Sequence, residues 1–206
     1  MKKLFVFILA LAVSISFAFA QQISEGQVTI SKTNVNGFIL NIPNVDSKSA
    51  TTAITEYLAE KGLVKPKTED KYNSYKAQKF SYFGDGTYDI YFKAVQKGKK
   101  KDLSSDIIFI CSLGNLNTIS TVNNPATAEN IKTIIANFPK AVEKYQLKQK
   151  IEDLKKEIEK ANKEKAKNDK EIKKLQELIK KASEKHNGLN QQLEDANSLL
   201  KDFIID

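Results

Sequence analysis

Apolar residues follow two different periods along this chain, and the change of period divides it. Through residues 23–137 the pattern is mixed. "QVTIS" (27–31) and "GFILNI" (37–42) read as short strands, with "NVNG" as the turn between them. "IPN" ends the second strand at Pro43, and Asp46 or Ser47 can cap a helix running to Lys61. Ala50, Ala53, Ile54, Tyr57 and Leu58 share one face of that helix, and Gly62 follows where a C-cap glycine belongs. "KAQKFSYF" (76–83) and "TYDIYFKAV" (87–95) flank "GDG", a hairpin signal. Tyr88, Ile90, Phe92 and Ala94 alternate with Asp89, Tyr91, Lys93 and Val95, so one face of this strand is core. Beyond the lysine-tipped turn "QKGKKKD" (96–102), "DIIFICSL" (106–113) is apolar on both faces and reads as the most buried strand. The loop "GNLNTISTVNNP" leads to a second helix starting near Ala126, striped by Ile131, Ile134, Ile135, Phe138 and Val142. Pro139 either kinks this helix or marks the joint where an extension leaves the domain. Two strands, a helix, three strands and a helix predict an α+β domain over residues 21–138: one antiparallel sheet with helices on one face.

From residue 139 the period becomes helical and strict. With Ile151 as position a, the a series runs Ile151, Ile158, Lys165, Ile172, Ile179, His186, Leu193, Leu200. The d series runs Leu147, Leu154, Ala161, Asn168, Leu175, Ala182, Leu189, Ala196, Phe203. The spacing alternates 4 and 3 without a slip from Leu147 to Phe203, which predicts a helical coiled coil over residues 139–206. Straight, it would be roughly 85 Å long at the helical rise per residue. Three arrangements satisfy the pattern. A continuous helix places Lys165 and Asn168 as polar layers that fix register or oligomer number. A hairpin at 165–169, capped by Asn168 with Glu171, pairs Ile158 with Leu175 and Leu154 with Ile179. A turn at "HNG" (186–188) pairs Leu193 with Ala182 and Leu200 with Leu175. A parallel homodimer gains little from its flanking charges: Glu157 faces Asn162, and Glu164 faces Asp169, which repels.

Charge narrows the partner class. Residues 21–137 carry 14 Lys against 11 acids, and residues 138–206 carry 17 Lys against 14. Every basic residue is Lys. Arginine's planar fork is the usual instrument for phosphates and base edges, so specific nucleic-acid recognition is not expected. The expected partner is a protein, or a second copy, met through the coiled coil.

The first residues read as a targeting segment. Lys2 and Lys3 precede the apolar run "LFVFILALAVSISF" (4–17), which is short for a membrane span, and "AFA" (18–20) supplies a cleavage site. The expectation is a signal peptide over residues 1–20, cut after Ala20, a periplasmic or secreted protein, and no transmembrane segment after processing.

Catalytic, cofactor and metal sites are not expected. His186 is the only histidine, and no Cys, His or carboxylate lies at ligand spacing from it. Cys111, in an apolar run, reads as a small buried hydrophobe. Asp85, Asp89, Asp102 and Asp106 sit at turns or strand starts, where acids serve as turn formers. "GDG" (84–86) lacks the helix a phosphate loop needs. Phe80, Tyr82, Phe83, Tyr88, Tyr91 and Phe92 read as core and cross-strand pairs.

"NGFILNIPNVDSKSATTAITEYLAEKG", "DIIFICSLGN", "NIKTIIANFPKAVEKYQL" and the Lys/Glu-rich tail together resemble a family of secreted Bacteroidota proteins. Its members join an N-terminal α+β domain, loosely similar to TBP-like domains, to a C-terminal coiled coil. The resemblance spans nearly the whole mature chain and carries over no active site. Taken together, the architecture, the targeting segment and the lack of a catalytic motif lead to the expectation of a non-enzymatic envelope or secreted protein with a binding or scaffold role, its coiled coil a spacer or oligomerisation element. The basic, helical-arm design is also similar to holdase-like periplasmic chaperones of the Skp/OmpH type. Those place their arms between core strands, whereas this arm is C-terminal.

Overall fold

A computed structural model describes residues 22–99 and 102–205, with side chains described as far as Ser198. The signal-peptide reading of residues 1–20 lies outside the described residues, as do Lys100, Lys101 and the side chains of Leu200 and Phe203.

The protein is α+β: the described residues form a six-stranded antiparallel sheet with two short helices and one long C-terminal helix. Strands β1 (Ser24–Ile30) and β2 (Thr33–Pro43) precede α1 (Ser47–Glu60). Strands β3 (Lys67–Glu69), β4 (Tyr72–Lys79), β5 (Thr87–Lys97) and β6 (Ser104–Ser112) follow, then α2 (Pro125–Ile135) and α3 (Phe138–Ile205). The sheet order is β1-β2-β6-β5-β4-β3, which places β6, the strand apolar on both faces, beside β2 and β5 at the centre.

Helix α1 forms where its local chemistry directs. The Asp46 carboxylate accepts from the Ser49 amide at 2.9 Å and from its hydroxyl at 2.7 Å. This holds the Asp46 carboxyl below its usual range, the Ser49 bonds outweighing the opposing effect of burial. Gly62 has φ +102°, as expected past a helix end. Ala50, Ala53, Ile54 and Leu58 pack on Phe38, Leu40, Ile90, Phe92, Ile107 and Phe109 of the sheet.

Helix α2 is capped by Asn124, which accepts from the Thr127 amide, and it ends at Ile135. Pro139 does not kink it. Proline falls in the first turn of α3, where its missing N–H leaves no bond unmade. The chain divides into two compact units, Met1–Lys148 and Gln149–Asp206. The globular unit therefore runs ten residues past the expected boundary at Phe138. Phe138 and Val142 are the reason: both are buried, and the Phe138 ring stands edge-on to Tyr57 and 5.9 Å from Phe109.

The strand layout departs from expectation at both hairpins. "NVNG" is not a turn. The β1–β2 turn is Ser31–Lys32, two non-glycine residues with φ 48° and 64°. Gly37 lies within β2, opposite Gly26, because there is no room for a side chain: a Cβ would stand 2.8 Å from Val28 Cγ2 and 3.3 Å from Ile110 Cγ1. The strand expected at 76–83 begins instead at Tyr72, and β3 is an additional strand joined to it through Asp70–Lys71, again both at positive φ. A bulge between Tyr75 and Gln78, with Ala77 at φ 52°, shifts the register before pairing resumes at Gln78 and Lys79, and beyond the strand Phe80 and Phe83 turn into the core.

The face of the sheet away from the helices carries a second, smaller core of Val28, Ile30, Val35, Tyr72, Tyr91 and Ile110. The two hairpin tips meet across it. Tyr72 donates to the Thr29 carbonyl at 3.0 Å, and the Ser31 amide donates to Asp70. These bonds join β1 and the β3–β4 tip, which stand on opposite sides of the strand order, so the sheet curls over this face.

Helix α3 is uninterrupted over its 68 residues, Phe138–Ile205. Neither the 165–169 segment nor "HNG" turns. Lys163 to Lys167 are good helix formers, and Gly188 costs a helix only about 1 kcal/mol relative to alanine.

Candidate functional site

Along α3 the described heptad residues remain uncovered within the single chain. Ile151, Leu154, Ile158, Ile172, Leu175, Ile179, Leu189 and Leu193 are between 48% and 68% exposed. Ala161, Lys165, Asn168, Ala182, His186 and Ala196 are exposed as well, and Leu147, half exposed, belongs to the globular unit. Leu178, 61% exposed at a flanking g position, widens the stripe beyond the a and d positions. It was legible as the apolar neighbour of Ile179.

The helix's own ion pairs lie away from this stripe. Lys155–Glu152 (2.9 Å), Lys156–Asp153 (3.8 Å), Lys163–Glu159 (2.6 Å) and Lys180–Glu184 (4.0 Å) occupy positions b, c, e and f. Glu157, Glu164, Glu171 and Lys185, all at g, make no ion pair among the described residues. His186 Nε2 lies 3.2 Å from Asn190 Nδ2 one turn on, so the ring is held by its own helix.

The globular unit has a small cleft of about 180 Å³ on its curled face, lined by Ile30, Ser31, Glu69, Lys76, Asp89, Tyr91, Asn115 and Leu116. Lys76 is its centre: it contacts the Tyr91 hydroxyl, Glu69 at 3.1 Å and Asp89 at 4.0 Å. Burial alone would lower its ammonium pKa. The Tyr91 and Glu69 bonds outweigh that and raise it above the ordinary lysine value. An amine held this firmly in its protonated form is not an available base or nucleophile. Asp89 accepts from the Ala77 amide at 2.8 Å, so it satisfies the bulge. The cluster is chemically suited to pinning β4 onto β5. Its residues come from distant segments, and no spacing in the sequence announces them.

The remaining candidates have similar roles. Asp106 accepts from Asn41 at 2.6 Å and pairs with Lys97. Cys111 is fully buried, and burial pushes its thiol far above the ordinary range, which removes the thiolate that a nucleophile requires. Phe80, Phe83, Tyr88 and Phe92 are core, with Phe80 and Phe83 in edge contact at 4.8 Å. A groove of about 90 Å³ between α1 and the start of α3 is bridged by Lys144–Glu60 (2.8 Å) and Lys148–Glu56 (3.7 Å). Among the described residues, no three His, Cys, Asp or Glu side chains converge as a metal site. No described helix is long and apolar enough to cross a membrane.

Compared with known proteins, the chain matches no family model, no curated protein and no solved structure.

Proposed function

We propose that this is a non-enzymatic envelope or secreted protein whose globular domain binds or docks while α3 serves as a spacer and oligomerisation element. One observation carries the reading: an uninterrupted helix bears a strict heptad stripe that its own chain leaves uncovered. The intrahelical ion pairs seen among the described residues supply about 0.2–0.5 kcal/mol each. Covering each half-exposed Leu or Ile gains on the order of 1 kcal/mol, half the value of full burial. Eight such residues per helix outweigh the ion pairs severalfold and are comparable with the cost of association. The N-terminal pattern of two lysines, an apolar run and "AFA" supports export and cleavage after Ala20.

Light scattering on the mature protein tests the oligomerisation element. A mass above that of one chain, falling on dilution, is expected. A single-chain mass at every concentration removes self-association. Binding of an unfolded outer-membrane polypeptide would move the assignment to a holdase-like chaperone.

A further inference from the structure

We propose that the occupant of the α3 stripe is a second copy of this chain, running antiparallel, with its two-fold axis between Ile172 and Leu175. This rests on the oligomerisation reading above and names its partner and geometry.

Like-with-like alignment is penalised at several points. In a parallel, in-register pair Lys165 meets Lys165, and His186 meets His186, in the core of the seam. The flanking g–e pairs set Lys150 against Lys155 and Glu164 against Asp169, and none is attractive. The halves of the rod also differ in charge. Residues 149–176 carry ten lysines and seven acids, and residues 177–205 carry four lysines and five acids. A parallel pair stacks the two basic halves together.

Reversing one helix removes each penalty. In an antiparallel pair a positions face d positions, g faces g and e faces e. With Ile172 opposite Leu175, the large residues pair as Ile158 with Leu189 and Leu154 with Leu193. Lys165 then faces Ala182 and His186 faces Ala161, so each long polar side chain crosses a small one and reaches water. Asn168 faces Ile179. At the flank, Glu164 of one copy meets Lys185 of the other, twice by symmetry, and no like charges oppose at e or g. Glu164 and Lys185 make no ion pair within their own helix among the described residues, so both are available for this contact.

Single-cysteine variants of the mature full-length chain test this, since Cys111 is buried and does not compete. Leu154→Cys and Leu193→Cys are oxidised separately, then after mixing under reducing conditions. The expected result is disulfide-linked dimer only from the mixture. Linked dimer from either variant alone overturns the antiparallel arrangement and leaves self-association standing. A dimeric mass with no cross-link in any sample overturns this register, and a single-chain mass overturns the oligomerisation reading as well. A second variant gives opposite signs for the two orientations. Glu164→Lys faces Lys185 in the antiparallel pair and weakens dimerisation severalfold, and Lys185→Glu in the same chain restores it. In a parallel pair Glu164→Lys faces Asp169 and strengthens dimerisation.

Discussion

The Tyr72 hydroxyl donates a 3.0 Å bond to the Thr29 carbonyl, although β4 and β1 are separated by three strands in the sheet. That contact, with Ser31 to Asp70, fastens the curl of the sheet over Val28, Ile30 and Tyr91. Tyr72→Phe keeps the ring and removes only the donor. It should destabilise the domain by about 1 kcal/mol, read from a denaturant melt with unchanged slope. A neutral result would mean that apolar packing alone holds the tips.

Gly26 and Gly37 face each other across β1 and β2, yet substitution should separate them. A Cβ at Gly37 would lie 2.8 Å from Val28 Cγ2 and 3.3 Å from the Phe109 carbonyl oxygen. At Gly26 the nearest contact is Ile39 Cδ1, an ordinary 3.5 Å. Gly37→Ala should cost about 1–3 kcal/mol by overpacking. Gly26→Ala should be neutral or slightly stabilising, because the unfolded chain loses freedom. Equal effects at both positions would contradict the close approach.

The first turns of α3 belong to the domain core. Truncation after Lys148 should leave a cooperative melt, whereas truncation after Asn137 removes Phe138 and Val142 and should abolish it. In the full chain Phe138→Ala should cost about 3–5 kcal/mol, as for other fully buried aromatics. A cooperative domain ending at Asn137 would show that Phe138 is dispensable.

Glu25 couples the β1 edge to the helical layer. Its carboxylate accepts from the Thr121 amide and hydroxyl, both at 3.1 Å, and lies 3.3 Å from the Lys132 ammonium. Burial alone would raise its pKa, but the Thr121 bonds and Lys132 together depress it below 4.5. A depressed carboxyl stabilises the fold above the unfolded-state pKa, and that contribution is lost as pH falls through the folded value. Stability should therefore fall on acidification below about pH 4.5, the ordinary glutamate value. Glu25→Gln should flatten this limb while lowering stability at neutral pH. An unchanged acid limb in the variant would exclude Glu25 as its source.

Lys165→Ile with Asn168→Leu should raise the melting temperature of the helical unit and broaden its choice of register and copy number. A continuous apolar seam no longer penalises the alternatives. The wild-type melting temperature should rise with protein concentration. A concentration-independent melt, with no gain in the double variant, would argue that the stripe has no intermolecular role.

What could be read from the sequence was what local chemistry decides. Asp46 and Gly62 mark α1 because caps act within a turn of their own residue. The heptad from Leu147 was readable because its period never slips, and the helix runs on through both segments, 165–169 and 186–188, that offered a turn. The β3–β4 hairpin escaped notice because Asp70 and Lys71 take positive φ without a glycine to advertise it. Gly37 misled for the converse reason: it answers the proximity of Val28, a neighbour on another strand, rather than a turn. The Lys76 cleft depends on the curl of the sheet, which brings Ser31 beside Asp70 across 39 residues.

That curl gives the domain two tiers of stability. Its clasp joins residues 39 and 43 positions apart, whereas each hairpin is closed through a two-residue turn. Closing a long loop costs more entropy than closing a short one, so the clasp forms after the hairpins and releases before them. Its release breaks two hydrogen bonds and uncovers Ile30 and Tyr72, while the Phe109 core stays shut. The Ser31 amide, whose partner is Asp70, should accordingly exchange with solvent through this parting of the tips, well ahead of the amides of Ser104–Ser112, whose central strand opens only when the whole domain does.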